Sequence, residues 1–212
     1  MLNRSRWLPL VVFFVAAAGG FAAAHFWHAA QRRPPPPALL TGTILEPRRA
    51  LPDFSLLDEH GLKFTRADLL GHWSMLFFGY TNCPDLCPTT LAMLAAMAKS
   101  MRAAADPVRP RIVFVSVDAR RDTPAQLARY VPYFDPSFIG VTAADQKTVE
   151  AFALKLGVVV LIVPQADGGY SVDHSGSIFV ADPRGRLAAV LSGPFTAAKL
   201  RSDLRTITAA GS

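Results

Sequence analysis

Cysteine is nearly absent: the 212 residues contain two. Two thiols cannot frame a disulfide-rich scaffold or fill a four-thiolate zinc site unaided. Charge is also sparse, at 18% of residues against 51% apolar, which excludes a disordered chain. No block of Lys and Arg follows residue 33. Residues 1–33 hold four Arg and no acid, whereas 34–212 hold 18 basic and 16 acidic side chains out of a formal net charge of +6. The basicity therefore belongs to the N-terminal end, nothing remains to neutralise a phosphate backbone, and no nucleic acid is expected as partner. Internal repeats are lacking too, so one domain with an appendage is the expectation for this length.

The appendage has a character of its own. From Trp7 to Gln31 there are 25 residues without Asp, Glu, Lys or Arg, bounded by Arg6 and Arg32. About 20 helical residues cross a hydrocarbon core, so 1–33 reads as a transmembrane anchor with Trp7 and Trp27 near its interfaces. A cleaved signal peptide is the rival, with Ala22-Ala23-Ala24 as a small-residue site. The apolar run continues through Phe26 and Trp27, which favours the anchor. His25 and His28 read as polar tips rather than ligands. Pro34 to Pro37 form a stiff extended spacer, and 34–50 is taken as a linker ahead of a domain over 51–212.

Within the domain, apolar runs alternate with helical patterns. Strands are expected near 53–58, 62–64, 73–79, 111–118, 138–141, 158–163, 177–181 and 186–191. Helices are expected over 88–103, 145–156 and 196–208, with another running to about Phe134 from Thr123-Pro124, an N-cap before a first-position proline. Strands alternating with helices, closed by a hairpin and a helix, make an α/β sheet covered on both faces.

The chemistry concentrates in Phe77-Phe78-Gly79-Tyr80-Thr81-Asn82-Cys83-Pro84-Asp85-Leu86-Cys87-Pro88. This run leaves a buried strand and opens a helix, the place where alternating folds put ligands. Cysteines at i and i+4 share one face of a turn, and backbone N–H groups at a helix start are expected to lower their pKa values. The pair suits a disulfide or one soft ion. His174, in Val172-Asp173-His174-Ser175, is the natural third ligand; an ordinary loop histidine is the competing reading from spacing alone. Two sulfurs and one imidazole make a low-coordinate site suited to Cu(I), whereas structural zinc wants a fourth ligand that does not stand out.

Residues 51 to about 200 resemble the Sco/SenC family of copper-binding, thioredoxin-fold proteins. The resemblance rests on Phe78-Gly79-Tyr80-Thr81, on Cys83-Pro84-Asp85-Leu86-Cys87-Pro88, on Val115-Ser116-Val117-Asp118 with Arg121-Asp122-Thr123-Pro124, and on Asp173-His174-Ser175. Asp182-Pro183-Arg184-Gly185 fits as well. It implies a thioredoxin-like α/β fold with a central mixed sheet, helices on both faces and an N-terminal transmembrane helix. It also implies that Cys83, Cys87 and His174 bind one copper, which is delivered to the copper A site of cytochrome c oxidase subunit II. Ala119 departs from the family, which commonly has Pro there, and the change falls in a loop.

Several tempting residues have plainer readings. Met93, Met97 and Met101 recur every four positions, but Met93 lies about 120° around the helix and about 9 Å along it from Cys87, so the stripe reads as core. Asp85 reads as a local cap, Asp118 as a loop support, Asp173 as an orienting neighbour of His174, and Tyr80 as a packing residue. His60 and His72 read as solvated. The expected function is a membrane-tethered copper chaperone in a bacterial inner membrane with its domain in the periplasm; whether it is also an enzyme stays open, since a thiol–disulfide reductase would use the same cysteines. Other copper chaperones and thiol–disulfide reductants join the oxidase among expected partners. The rivals are a thiol–disulfide oxidoreductase, with Cys83 and Cys87 as its redox-active pair, and a copper or redox sensor.

Overall fold

The computed structural model describes residues 8–31, 36–166 and 168–210, with the side chains of the first segment described from 12 to 27. Contacts divide the chain into two units, residues 1–36 and 37–212. The first contains helix α1, Leu8–Gln31. Its described side chains are exposed, Phe13, Phe14, Phe21 and Trp27 by 67–75%. Among the described residues no helix is long and apolar enough to cross a membrane, so the expected transmembrane helix is not found there. Trp7, the arginines at 4, 6, 32 and 33, Pro34, Pro35 and Asp167 lie outside the described residues, as does the side chain of His28.

The second unit is built on an eight-stranded sheet. Its strands in chain order are β1 Gly42–Ala50, β2 Ser55–Asp58, β3 Lys63–Thr65, β4 Ser74–Gly79, β5 Arg111–Ser116 and β6 Ile139–Thr142. A separate two-stranded hairpin follows, β7 Val160–Pro164 and β8 Tyr170–His174, before β9 Ile178–Ala181 and β10 Arg186–Leu191 complete the sheet. The strand order is β1-β10-β9-β4-β5-β6-β2-β3. The β4–β5 and β5–β6 pairs are parallel and the others antiparallel, which makes the sheet mixed. The helices are α2 Leu86–Ala103, α3 Pro124–Tyr130, α4 Gln146–Lys155 and α5 Ala197–Ala209.

Every residue of β4 is buried. A central strand shielded on both faces reads as a continuous apolar run rather than an alternating one, which is what Met75-Leu76-Phe77-Phe78 provides. Its period of two sends neighbours to opposite sides. Phe78 meets Phe152 of α4 with ring centroids 5.8 Å apart, while Phe77 meets Phe114, whose ring lies 5.6 Å from that of Tyr130 on α3. Each such ring removed from water contributes about 1.5–3 kcal/mol. Helix starts are capped as their sequences suggest. The Thr123 hydroxyl accepts from Gln126 N–H ahead of Pro124, Asp145 accepts from Thr148 N–H, and Thr196 accepts from Lys199 N–H; caps of this kind contribute about 1 kcal/mol each.

Three elements depart from the sequence reading. Residues 42–50, taken as linker, form β1 at the sheet edge. Pro47 hides the strand, because proline is tolerated only where no ladder hydrogen bond is needed, and the register with β10 breaks between Ile44 and Arg49. The buried carboxylate of Asp203 also accepts from the backbone N–H groups of Leu40 and Thr41 at 2.7 and 2.8 Å. The second departure is β8, a strand at a place where the sequence pattern predicts none. Only Val172 of that strand is buried, so it carries no apolar alternation to betray it. The helix opened by Thr123 is shorter than expected, with Val131–Tyr133 forming a 3-10 turn around Pro132.

Candidate metal centre

At the C-terminal end of β4 the chain turns through residues 80–85 and enters α2. Cys83 N–H donates to the Tyr80 carbonyl at 3.2 Å, which folds the loop back over the helix start. Cys87 occupies the second helical position, where a backbone N–H has no partner inside the helix. That N–H points at Cys83 Sγ, 3.4 Å away. Gly79 makes the arrangement possible: a Cβ there would stand 2.9 Å from Cys87 Sγ and 2.7 Å from the Phe114 ring.

The loop is fastened by Asp122. Thr81 donates to its carboxylate from N–H at 2.9 Å and from the hydroxyl at 2.6 Å, and the Ser116 hydroxyl donates at 2.7 Å. Asp122 is fully buried, and burial pushes its pKa up despite these hydrogen bonds. Asp122 and Ser116 are functional supports that reading the sequence for ligands passed over. Their signal was Ser116 at the end of a largely apolar central strand and Asp122 in the turn just ahead of the Thr123-Pro124 helix start.

His174 arrives from the other side, as the last residue of β8, paired with Val160 across the hairpin. Its Nδ1 lies 3.0 Å from the Ser175 carbonyl oxygen. A carbonyl only accepts, so this bond places the proton on Nδ1 and leaves Nε2 with a free lone pair. Nε2 faces Cys87 Sγ at 3.7 Å. Tyr80 packs its ring edge-on to the imidazole, with centroids 6.0 Å apart, in agreement with its expected packing role. Burial pushes the His174 pKa below the usual histidine value, against the raising effect of the Ser175 carbonyl and Asp173. The ring is therefore neutral near pH 7, the state in which imidazole binds metal.

Cys87 corrects the expectation of lowered thiol pKa values at the helix start. Burial pushes its thiol well up, and the neighbouring Cys83 opposes a second negative charge. The helix N–H groups do not outweigh removal of the sulfur from water. Both cysteines are free thiols, Cys83 half-buried and Cys87 buried. The structure thus brings Cys83, Cys87 and His174 together at one end of the sheet. Among the described residues no group of three or more His, Cys, Asp or Glu side chains is arranged to hold a metal ion as it stands.

The remaining candidates fall elsewhere. Asp85 stands exposed at the N-cap position of α2 but makes no side-chain cap, accepting instead from the Thr89 hydroxyl at 3.2 Å. Asp173 is exposed on β8. Met97 and Met101 are fully buried in the core and Met93 packs against it, as expected of a packing stripe. His60 and His72 are exposed, and His25 on α1 is exposed as well.

A family model described as SCO1/SenC matches residues 43–209. The chain belongs to that family. Among relatives of this Sco chain, a Stutzerimonas stutzeri protein named for copper binding is 35% identical over 152 residues, covering 71% of this chain and 74% of its own. The mitochondrial SCO2 homolog of Danio rerio is 38% identical over 136 residues, 63% of this chain but only 48% of that protein. Solved structures agree. Arabidopsis thaliana ScoI with copper bound superposes with a TM-score of 0.71 at 30% identity, covering 74% of this chain and 97% of that one. Bradyrhizobium japonicum ScoI with copper bound gives 0.66 at 33%, covering 74% and 98%. A disulfide-switch structure of BsSco, from the Sco family of cytochrome c oxidase assembly proteins, is 23% identical with a TM-score of 0.61 and attests the fold alone.

Proposed function

We propose that this Sco domain carries one copper ion on Cys83, Cys87 and His174 and hands it to the copper A site of cytochrome c oxidase subunit II. The observation that carries the reading is the 3.7 Å approach of Cys87 Sγ to His174 Nε2, with Cys83 Sγ held against the Cys87 N–H. The donor set is two sulfurs and an imidazole, which suits the soft Cu(I) ion and lacks the fourth ligand of structural zinc. The copper-bound ScoI structures support the cargo, and membership of the SCO1/SenC family supports the destination.

In this reading the chain's own residues do three things. Neutral His174 offers Nε2 because Nδ1–H is engaged by Ser175. Cys87 gives up its proton on loading, since a thiolate is the metal-binding form and burial keeps the empty thiol protonated. Half-buried Cys83 is the ligand that an incoming thiolate of the partner reaches first, so copper passes by stepwise ligand exchange, with no covalent bond of a substrate made or broken. The protein is accordingly a metallochaperone rather than an enzyme.

The uncharged run from Trp7 to Gln31 supports a tether that holds the domain in the periplasm of a bacterial inner membrane. The test loads the full chain in detergent with Cu(I) and mixes it with the reduced copper A domain of subunit II. Copper recovered on that domain after the two proteins are separated, and sooner than from a copper chelate of equal affinity, is the expected result. No transfer, combined with reduction of an oxidised subunit II disulfide by the copper-free protein, would overturn it in favour of thiol–disulfide exchange.

A further inference from the structure

The two halves of the candidate centre come from distant parts of the chain. The cysteine loop is an open turn, and the histidine sits on a two-stranded hairpin outside the main sheet. Both are fastened to the same short stretch after β5, by adjacent residues. Asp122 holds the cysteine loop through Thr81. Arg121 holds the hairpin: its Nη1 donates to the Tyr170 carbonyl at 3.1 Å, its guanidinium carbon lies 3.8 Å from the centre of the Tyr170 ring, and its Nε donates to Asp118. Asp118, itself buried, also accepts from the Tyr170 hydroxyl at 2.9 Å. On its other side the guanidinium lies 5.7 Å from the ring of Tyr80, the residue edge-on to His174.

We propose that Arg121 is a positioning residue for the metal centre: with Asp118 and Tyr170 it sets where His174 stands relative to the cysteines, while Asp122 sets the cysteine loop. The arrangement is costly as a stability device, since Arg121 Nη2 is buried without a hydrogen-bond partner among the described residues. A buried ion pair is weak evidence for stability and better suited to selecting one geometry. The planar guanidinium provides what a point charge does not, a stack on Tyr170 and a fork that bonds Asp118 and the β8 backbone together. The copper part of this inference rests on Cys83, Cys87 and His174 being the ligands; the positioning part does not.

The experiment compares the full chain with Arg121→Lys, Tyr170→Phe and Asp122→Asn, in two measurements. Amide hydrogen exchange of the copper-free protein reads each half separately. Arg121→Lys should speed exchange in 160–174 and leave 81–87 nearly unchanged, Asp122→Asn should do the reverse, and Tyr170→Phe, which keeps the ring and the carbonyl, should show a weaker form of the Arg121→Lys pattern. Copper titration should show Arg121→Lys weakened by about 10–100-fold, the usual effect of disturbing groups that orient ligands, with a shifted thiolate-to-Cu(II) absorption band. Unchanged exchange in 160–174, or equal loosening of both halves, would overturn the positioning role. Absence of copper binding by the unaltered chain would instead overturn the proposed function, and the exchange result would still decide the role of Arg121.

Discussion

Cys87 Sγ and His174 Nε2 lie 3.7 Å apart although 87 positions separate them in the chain. The contact depends on three local facts. Cys87 faces inward from the first turn of α2, Gly79 leaves the sulfur its space, and β8 ends at His174 with Nδ1 engaged by Ser175.

Gly79→Ala puts a methyl group where Phe114 and Cys87 Sγ already stand, at 2.7 and 2.9 Å. Overpacking of this kind costs about 1–3 kcal/mol. Urea unfolding should show that loss, and copper titration should show weaker binding, because relief requires moving Cys87. An alanine variant with unchanged stability and affinity would contradict the described packing.

Asp122→Ala leaves the Thr81 N–H and hydroxyl and the Ser116 hydroxyl without their acceptor. A buried donor stripped of its partner costs about 1–3 kcal/mol. Denaturant midpoints should fall accordingly. Asp122→Asn, which keeps an acceptor oxygen, should lose less.

Met97→Leu tests whether the methionine stripe is core or ligand. Met97 is fully buried, and a volume-conserving exchange costs less than about 1.5 kcal/mol. Copper stoichiometry and affinity should stay as they are. A lost equivalent of copper would show a thioether ligand instead.

Acid sensitivity should trace in part to Asp182. Burial alone would raise its pKa, but hydrogen bonds from Arg186, from Arg48 and from backbone N–H groups bring it below the usual aspartate range. The folded state therefore gives up this proton more readily than the unfolded chain, so the stabilisation is complete above about pH 4 and is lost as pH falls through the folded value. Asp182→Asn should flatten that part of the stability–pH curve below about pH 4. An identical acid slope in the variant would contradict this.

The sheet centre was readable in advance because Met75-Leu76-Phe77-Phe78 and Ile112-Val113-Phe114-Val115 are runs that only a doubly covered strand uses. Helix starts were readable because Thr123, Asp145 and Thr196 carry their own capping oxygens. The cysteine pair announced itself by spacing. What stayed hidden depends on contacts between distant segments. β1 is held by Asp203 and by pairing with β10 despite Pro47, and β8 is held by Tyr170 reaching Asp118 and Arg121. The raised Cys87 pKa was hidden for the same reason, since the helix-start effect is local whereas burial belongs to the assembled fold.

The most direct test of the three-residue centre is an anaerobic Cu(I) titration of the reduced full chain beside its His174→Ala variant, with competing chelator to fix affinities. One tightly bound equivalent in the unaltered chain is predicted, with affinity lost in the variant beyond the about 10–100-fold that disturbing an orienting neighbour produces. Equal affinity in both proteins would contradict His174 as a ligand, and no tight binding in either would contradict the centre itself.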